Sequence, residues 1–333
     1  MNAGGDSGGA TRAALAAPEP GKVPRVLTIA GSDSGGGAGI QADLKAFARC
    51  GVHGMSAITA VTAQNTVAVE GVWPLPRDAI VAQVRAVVSD IGVDAIKIGM
   101  LGTVAIIEAV ADALDLVDSS VPIVVDPVMV AESGARLLAE DAVDALVRRI
   151  LPRATVTTPN LAEARVLAEH SEHARTPCAV GDTGAPARQA RHGRRASPRR
   201  DEGEELARAV RTLGPRCVVV TGGHRERAVD TFFDGERVAR ITGRRWPDGA
   251  AHGSGCTHSA ALAAYLAWGF DPLGAARRAK RVAARAVRDG LRQIGRGAGP
   301  VDVFGLARRC PPAARAKRTS APQGRGARVS EPA

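Results

Sequence analysis

Short, almost wholly apolar runs alternate along this sequence with longer segments that have helical spacing. The clearest runs are Val26–Ala30, Ala95–Ile98, Val121–Val125 and Cys217–Thr221. Strands that are apolar on both faces are typical of parallel sheets covered by helices on both sides, because each face then packs against a helix. The alternation therefore predicts an α/β fold: a three-layer, doubly wound, mostly parallel sheet.

Three further predictions complete the order of elements. Met55–Val61 is rich in β-forming residues and predicts a single strand. Ala228–Phe233 and Arg237–Thr242 are separated by a short turn sequence and predict an antiparallel hairpin. Pro272–Ile294 has helical spacing and predicts a long last helix.

Positive charge is concentrated in two segments. The chain has 44 Lys and Arg against 34 Asp and Glu, yet Arg175–Arg200 and Arg308–Ala333 each carry a net charge of +6, which leaves −2 for the rest. Both segments are rich in Pro, Gly and Ala, which bury too little surface to become ordered. Neither has the interleaved aromatic residues of a specific single-strand binder, which argues against nucleic acid as a partner.

The composition predicts one folded domain over residues 23–307. We expect disorder in an N-terminal tail (1–22), an Arg-rich insert (about 173–203) and a basic tail (308–333). No run of 18 apolar residues occurs, which argues against a membrane-spanning helix. The five cysteines are scattered without a CxxC pair, which argues against a disulfide framework or zinc site and favours a reducing, cytoplasmic location.

Polar and glycine-rich clusters follow the predicted strands. They are Gly31–Gly39, Gly99–Gly102, Asp126–Met129, Thr158–Asn160 and Thr221–His224. Because parallel strands in such a sheet present their carboxyl ends at one edge, these clusters should converge. The sequence therefore predicts a ligand site at that edge.

The first cluster, Gly31–Gly39, joins a strand to a helix. No Gly-Lys-Ser or Gly-Lys-Thr follows it, so it is not a P-loop for phosphate. Its glycines would instead let a flat substrate approach the backbone, with Asp43 just beyond on the helix. Close packing of strand and helix is the alternative.

A second glycine-rich segment, Ala251–Thr257, opens a long helix. Successive backbone N–H groups and the helix N-terminus would form an anion hole suited to a phosphoryl group. Cys256 lies in the first turn, where the pKa of a thiol is expected to be lowered. The alternative is a small buried cysteine at the start of a helix.

Asn160 and Glu163 stand three residues apart at the start of another predicted helix. That spacing places both side chains on one face. The pair would serve either as an ordinary N-terminal cap or as ligands that hold magnesium through water.

Seven segments, in this order, resemble the hydroxymethylpyrimidine/phosphomethylpyrimidine kinases of thiamine biosynthesis, within the ribokinase-like superfamily. The matching segments are Ala30–Asp43, Ala63–Thr66, Lys97–Leu101, Asp126–Met129, Thr158–Ala164, Gly222–His224 and His252–Thr257. The resemblance implies ATP-dependent phosphorylation of 4-amino-5-hydroxymethyl-2-methylpyrimidine and then of its monophosphate, with Mg²⁺. It leaves a homodimer open.

The resemblance also implies roles for residues at the substrate end of the site. Gln64 would hydrogen-bond the pyrimidine ring, because its amide offers both a donor and an acceptor. Asp43 would hold the hydroxymethyl or ring polar groups, Met100 would pack on the ring, and Gly31 would lie against it.

At the phosphate end, the resemblance implies that Asn160 and Glu163 help to place Mg²⁺ and the ATP phosphates. Thr221 and Gly223 would lie near the nucleotide, and Cys256 would occupy the position where other members of the superfamily carry a catalytic Asp base. The implied anion hole consists of Gly253, Ser254, Gly255 and Cys256.

Three positions depart from the family pattern. Thr221 stands where a Lys is usual, Glu132 where a Lys is frequent, and Ser254 where a Thr is usual. Pyridoxal kinase is an alternative activity, since its substrate is also a flat hydroxymethyl heterocycle. A non-catalytic pyrimidine-binding regulator is another, and a polyanion-binding protein that uses the Arg-rich segments is a third.

Overall fold

An eight-stranded sheet forms the centre of the protein. The computed structural model describes residues 21–132, 134–173, 201–223, 228–247 and 249–309. The strands are β1 (Arg25–Ala30), β2 (His53–Ile58), β3 (Ala60–Gln64), β4 (Val69–Pro74), β5 (Ala95–Ile98), β6 (Ile123–Val125), β7 (Val156–Thr157), β8 (Cys217–Val220), β9 (Ala228–Phe233) and β10 (Val238–Gly243).

The strand order confirms the predicted topology. The sheet runs β10-β9-β8-β7-β6-β5-β1-β2, and every neighbouring pair from β2 to β8 is parallel. β9 and β10 form the predicted antiparallel hairpin at one edge. β3 and β4 pair with each other in a separate two-stranded sheet.

Helices cover both faces of the large sheet. They are α1 (Gly39–Arg49), α2 (Arg77–Asp90), α3 (Val104–Leu114), α4 (Glu140–Ala145, continued by a π-helical turn over Leu146–Ile150), α5 (Leu161–His173), α6 (Glu202–Arg211), α7 (Ser254–Ala267), α8 (Pro272–Arg288) and α9 (Leu306–Arg309). Leu27 and Ile29 of β1 pack in one apolar cluster with Ile107 of α3, whereas Val26 packs in a second cluster with Leu262 of α7. The three-layer prediction is therefore confirmed.

Two predicted elements differ from the structure. The single strand expected over Met55–Val61 is two strands of different sheets, divided at Thr59, whose N–H donates to Ala30 O at 3.0 Å. The last long helix ends at Arg288, because Asp289 forms its C-cap and the Leu291 N–H then turns to bond Pro300 O at 2.9 Å.

Helices reach the margins of two of the segments that are predicted to be disordered. α5 reaches His173 and α6 begins at Glu202, so helices occupy both margins of the predicted insert, and α9 includes the first two residues of the predicted basic tail. The rest of the insert and tail, and residues 1–20, lie outside the described residues. Within the described ranges, no helix combines the length and apolar character needed to cross a membrane.

Candidate active site

A cavity of about 420 Å³ opens at the carboxyl ends of the parallel strands. All five polar clusters that follow predicted strands contribute to its wall, which confirms that they converge. Representative lining residues, one from each cluster, are Gly31, Met100, Asp126, Asn160 and Gly223. The start of α7 closes the same cavity from the side, so one space contains both a strand-end surface and a helix N-terminus.

One end of the cavity is built around Gly31, Gln64 and Met100, all three of which line it as predicted. The Met100 side chain lies so close to Gly31 that an added Cβ would overlap its terminal methyl group, so a larger residue there would have to displace that methyl group. Gln64, the last residue of β3, is held by Ser34: its N–H donates to Ser34 Oγ at 2.8 Å, and that hydroxyl donates to Gln64 O at 2.8 Å.

Asp43 does not lie where it was expected. Its side chain is fully buried, is not part of the cavity wall, and accepts hydrogen bonds from Thr28 Oγ1 at 2.7 Å and Lys97 Nζ at 2.9 Å. Of this bonded pair Lys97 lines the cavity and Asp43 does not, so this arrangement does not make the expected direct contact between Asp43 and a substrate.

Lys97 is a site residue to which the sequence interpretation gave no role. It lines the cavity although it is fully buried. Burial alone would lower the pKa of Lys97, but the Asp43 carboxylate, with Cys256 and Asp126 nearby, outweighs burial and holds that pKa above its usual range. The ammonium group is therefore a fixed positive charge beneath the cavity.

The four residues of the predicted anion hole lie at the start of α7. Gly253 is the N-cap, with φ +81°, and Gly253, Ser254, Gly255 and Cys256 all line the cavity. The first N–H groups of a helix have no intrahelical acceptor, so those of Gly255 and Cys256 are available to an anion. Ser254 thus keeps a hydroxyl at the cavity where the family usually has Thr.

The expectation of a lowered pKa at Cys256 is wrong. Burial raises the pKa of the thiol to about 12, and the carboxylates of Asp43 and Asp126 add to the increase. Lys97 and the Gly39 N–H act in the opposite direction but do not compensate. The side chain of Cys256 is therefore a protonated thiol at neutral pH.

Asn160 and Glu163 form a reciprocal cap at the start of α5. The Asn160 N–H donates to Glu163 Oε2 at 2.9 Å, and the Glu163 N–H donates to Asn160 Oδ1 at 3.0 Å. Glu163 also accepts from the Met129 N–H at 3.3 Å. The N-cap alternative is thus realised, while both residues still line the cavity.

Burial, with Asp126 nearby, raises the pKa of Glu163 to about 8. Asp126 itself lines the cavity and accepts hydrogen bonds from Ser259 Oγ at 2.9 Å and Thr158 Oγ1 at 3.4 Å. Among the residues that the structure describes, no three His, Cys, Asp or Glu side chains group together as a metal site would require. Carboxylate and amide oxygens are nevertheless the donor type that Mg²⁺ prefers, and several of its ligands are usually water.

The opposite end of the cavity contains Thr221 and Gly223, as predicted. A charged group beside them was not predicted: Lys280 Nζ donates to Asp230 Oδ1 at 2.6 Å, and both residues line the cavity. Lys280 therefore supplies a cation near the position where Thr221 replaces the usual lysine. His224 lies outside the described residues.

Comparison with known proteins gives consistent matches over most of the chain. The family model for phosphomethylpyrimidine kinase matches residues 33–181 and 192–302. A hydroxymethylpyrimidine/phosphomethylpyrimidine kinase of Streptomyces coelicolor is 43% identical over 290 residues, covering 86% of this chain and 97% of that protein. One of the same name from Rhizobium meliloti is 45% identical over 282 residues, covering 84% and 96%. The solved ADP complex of Bacillus subtilis pyridoxal kinase has a TM-score of 0.70 and 35% identity, covering 86% of this chain and 99% of that one.

Proposed function

Because the chain belongs to the phosphomethylpyrimidine kinase family, we propose that it phosphorylates 4-amino-5-hydroxymethyl-2-methylpyrimidine with ATP. A second transfer to the monophosphate then gives the diphosphate, a precursor in thiamine diphosphate biosynthesis. The observation that carries the proposal is the single cavity with Gln64 and Met100 at one end and the start of α7 beside it.

The Gln64 end suits the pyrimidine. A carboxamide can donate to a ring nitrogen and accept from an exocyclic amine, and Met100 offers a polarisable apolar surface to the ring face. Gly31 lies against Met100, whose terminal methyl group occupies the space that a side chain at Gly31 would take, so the two residues together shape the apolar surface for the ring. These three residues hold the ring so that its hydroxymethyl group faces the anion hole.

In the transfer, the substrate hydroxyl oxygen bonds to the γ-phosphorus, the bond to the β–γ bridging oxygen breaks, ADP leaves, and the hydroxyl proton is released to solvent. Positioning and charge stabilisation account for most of the catalysis in reactions of this kind. The N–H groups at the start of α7 stabilise the negative charge on the transferred group. Cys256 accepts the hydrogen bond of the attacking hydroxyl and orients it, and Lys97 lies beneath as a positive charge.

The remaining part of the cavity would take the nucleotide with its metal. Asp126, Asn160 and Glu163 supply the oxygen atoms that would hold Mg²⁺ through water, and the ion would neutralise charge on the phosphates. Thr221, Gly223 and the Lys280 ammonium group lie toward the nucleotide.

A coupled assay of ADP release tests this proposal. Purified protein with ATP and Mg²⁺ is offered the hydroxymethylpyrimidine, its monophosphate and pyridoxal in parallel, and we expect the first two to be turned over with the higher kcat/KM. Pyridoxal kinase is the second candidate, because the Bacillus subtilis structure of that name matches nearly the whole of its own length. Faster turnover of pyridoxal would establish that alternative, and no ADP release with any substrate would indicate a non-catalytic binder.

Three other expectations remain predictions. A cytoplasmic location follows from the cysteine distribution, and a homodimer is left open by the family resemblance. We expect no nucleic-acid binding, and a polyanion-binding role would appear as salt-sensitive retention on nucleic acid that truncation of the Arg-rich segments removes.

A further inference from the structure

We infer that Asp33 and His252 form a positioning pair that holds the start of α7 against the glycine-rich loop and thereby sets the place of Cys256. The glycine-rich loop is defined here as Gly31–Gly39, and the anion-hole loop as His252–Gly255. The inference rests on the proposed function, because it concerns the geometry of that phosphoryl transfer.

Asp33 organises the glycine-rich loop from within. Its side chain is almost completely buried, with Oδ1 accepting from the Gly35 N–H at 2.8 Å. Oδ2 accepts from the N–H groups of Gly37 at 3.0 Å and Ala38 at 2.7 Å. Although burial acts to raise it, the His252 bond and these backbone donors hold the pKa of Asp33 below its usual range. The residue is therefore an ionised acceptor.

His252 provides the fourth donor, from a point 219 residues away in the sequence. Its Nε2 lies 3.0 Å from Asp33 Oδ2, and since the carboxylate can only accept, Nε2–H donates. The backbone of His252 is fixed separately: its N–H donates to Gly299 O at 3.3 Å, and its carbonyl accepts from the Val301 N–H at 3.1 Å. The side chain of His252, and not its backbone, thus joins the anion-hole loop to the glycine-rich loop, by a charge-assisted hydrogen bond.

The glycine-rich loop and the anion-hole loop pack so closely that side chains cannot fit between their glycines. A Cβ added to Gly253 would overlap the carbonyl oxygen of Gly37, and one added to Gly37 would overlap the His252 ring. The Gly39 N–H faces the Cys256 sulfur, so the far end of the glycine-rich loop also touches the first turn of α7. A shift of the anion-hole loop away from the glycine-rich loop therefore moves both the thiol and the N–H groups that face the phosphoryl group.

This geometry separates positioning from substrate binding. Met100 comes from the segment after β5, and Gln64 is held by Ser34 of the glycine-rich loop. That loop keeps its three backbone hydrogen bonds to the Asp33 carboxylate when only the His252 side chain is replaced. Loss of the pair should therefore lower kcat while leaving the KM for the pyrimidine nearly unchanged. A displacement of about 1 Å in a catalytic constellation can cost on the order of 100-fold in rate.

Three variants of the full-length protein test the inference. His252→Phe removes the donor but keeps a ring of similar size, His252→Gln keeps an N–H at similar reach, and His53→Phe changes an exposed histidine as the matched control. We expect His252→Phe to lower kcat about 10- to 100-fold, with the pyrimidine KM within about threefold. His252→Gln should recover most of the rate, and His53→Phe should match the wild type.

A second readout does not need turnover. Mass spectrometry of peptides after brief alkylation with iodoacetamide measures the labelling rate of Cys256, which should rise several-fold in His252→Phe and stay near wild type in the other two variants. If the wild type turns over no pyrimidine, the proposed function fails, whereas the labelling rate still tests the contact between the loops.

Unchanged kcat and unchanged labelling in a folded His252→Phe protein would overturn the inference. In His252→Phe, a lower kcat together with a higher pyrimidine KM and a lower melting temperature, none of them restored by His252→Gln, would also overturn the inference. That pattern would indicate a purely structural residue. Asp33→Asn combined with His252→Phe should be no slower than Asp33→Asn alone, because the His252 side chain acts only through its bond to Asp33.

Discussion

Lys97 Nζ lies 2.9 Å from Asp43 Oδ2, and neither side chain has any exposed surface. A buried ion pair loses hydration on both sides, so its net contribution to stability is small, whereas removal of one partner leaves an uncompensated charge. Thr28 satisfies part of the remaining hydrogen-bonding capacity of the carboxylate.

Asp43→Ala should therefore lower the free energy of unfolding by about 3–5 kcal/mol, as measured by urea denaturation. The double variant Asp43→Ala, Lys97→Met should recover part of that loss, because no buried charge remains. A double variant whose loss equals the sum of the two single losses would show that the residues do not interact.

Gln64→Ala should weaken binding of the pyrimidine about 5- to 150-fold, because one hydrogen bond to a polar ring contributes roughly 1–3 kcal/mol. The KM for ATP should stay within about threefold. Gln293→Ala, an exposed position, is the matched control. Isothermal titration with each ligand separates the two affinities, and an equal loss for both would contradict the assignment of Gln64 to the ring.

Cys256→Ala should lower kcat about 10- to 100-fold without change in the melting temperature, since the group that orients the attacking hydroxyl is lost and a misplacement of about 1 Å can cost on the order of 100-fold in rate. Because the pKa of the thiol is about 12, the wild-type rate should show no rise from thiolate formation between about pH 7 and 9. Cys50→Ala, another half-buried thiol, is the control. Near-normal kcat in Cys256→Ala would make this cysteine structural.

Ionisation of the buried Glu163 carboxyl should lower the free energy of unfolding as the pH rises. Its pKa is about 8 in the folded protein against 4.5 for the free side chain, so between these values the folded state binds the extra proton. The resulting slope is at most about 1.4 kcal/mol per pH unit, with the penalty absent below the lower pKa and complete above the upper one. Urea unfolding should therefore show that the free energy of unfolding of Glu163→Gln, relative to that of the wild type, is higher at pH 8 than at pH 5. An identical pH dependence in both proteins would contradict the raised pKa.

Removal of residues 175–200 and 310–333 should leave pyrimidine-dependent ATP turnover and the melting temperature nearly unchanged. Those residues carry much of the excess positive charge and show no apolar periodicity, and the cost of loop closure changes slowly with length. A large loss of turnover would indicate that an arginine from these segments completes the site, and scanning calorimetry with the coupled assay distinguishes this from a loss of folding.

The large sheet is predictable because strands buried on both faces are apolar at nearly every position, as in β8. β3 and β4 lack that signature: Trp73 is 58% exposed and pairs with the exposed Val61, so these strands are not apolar on both faces. The division at Thr59 is equally hidden, since β-forming residues continue across it and only a tertiary hydrogen bond to Ala30 marks the change of sheet.

In the site, the convergence of strand ends is predictable from topology alone, whereas long-range pairs are not. Lys97 carries a detectable signal as a charged residue in an apolar strand, and so does Lys280, which lies among buried alanines of α8. Their partners Asp43 and Asp230 lie 54 and 50 positions away, beyond any local periodicity. The raised pKa of Cys256 comes first from burial of the thiol, to which the carboxylates of Asp43 and Asp126 add, and this burial is set by tertiary packing, which is why the helix-start rule gives the wrong sign.

The location of Gln64 at the end of β3 has an evolutionary consequence. β3 and β4 form a small sheet of their own, whereas the N–H groups that face the phosphoryl group belong to α7. On the proposed function, the Gln64 amide binds the polar edge of the ring and the N–H groups of α7 bind the phosphate. Substitutions can therefore change one of these groups without changing the other. Descendants of such a chain could acquire a new heterocycle through substitutions on one hairpin while inheriting the transfer chemistry intact.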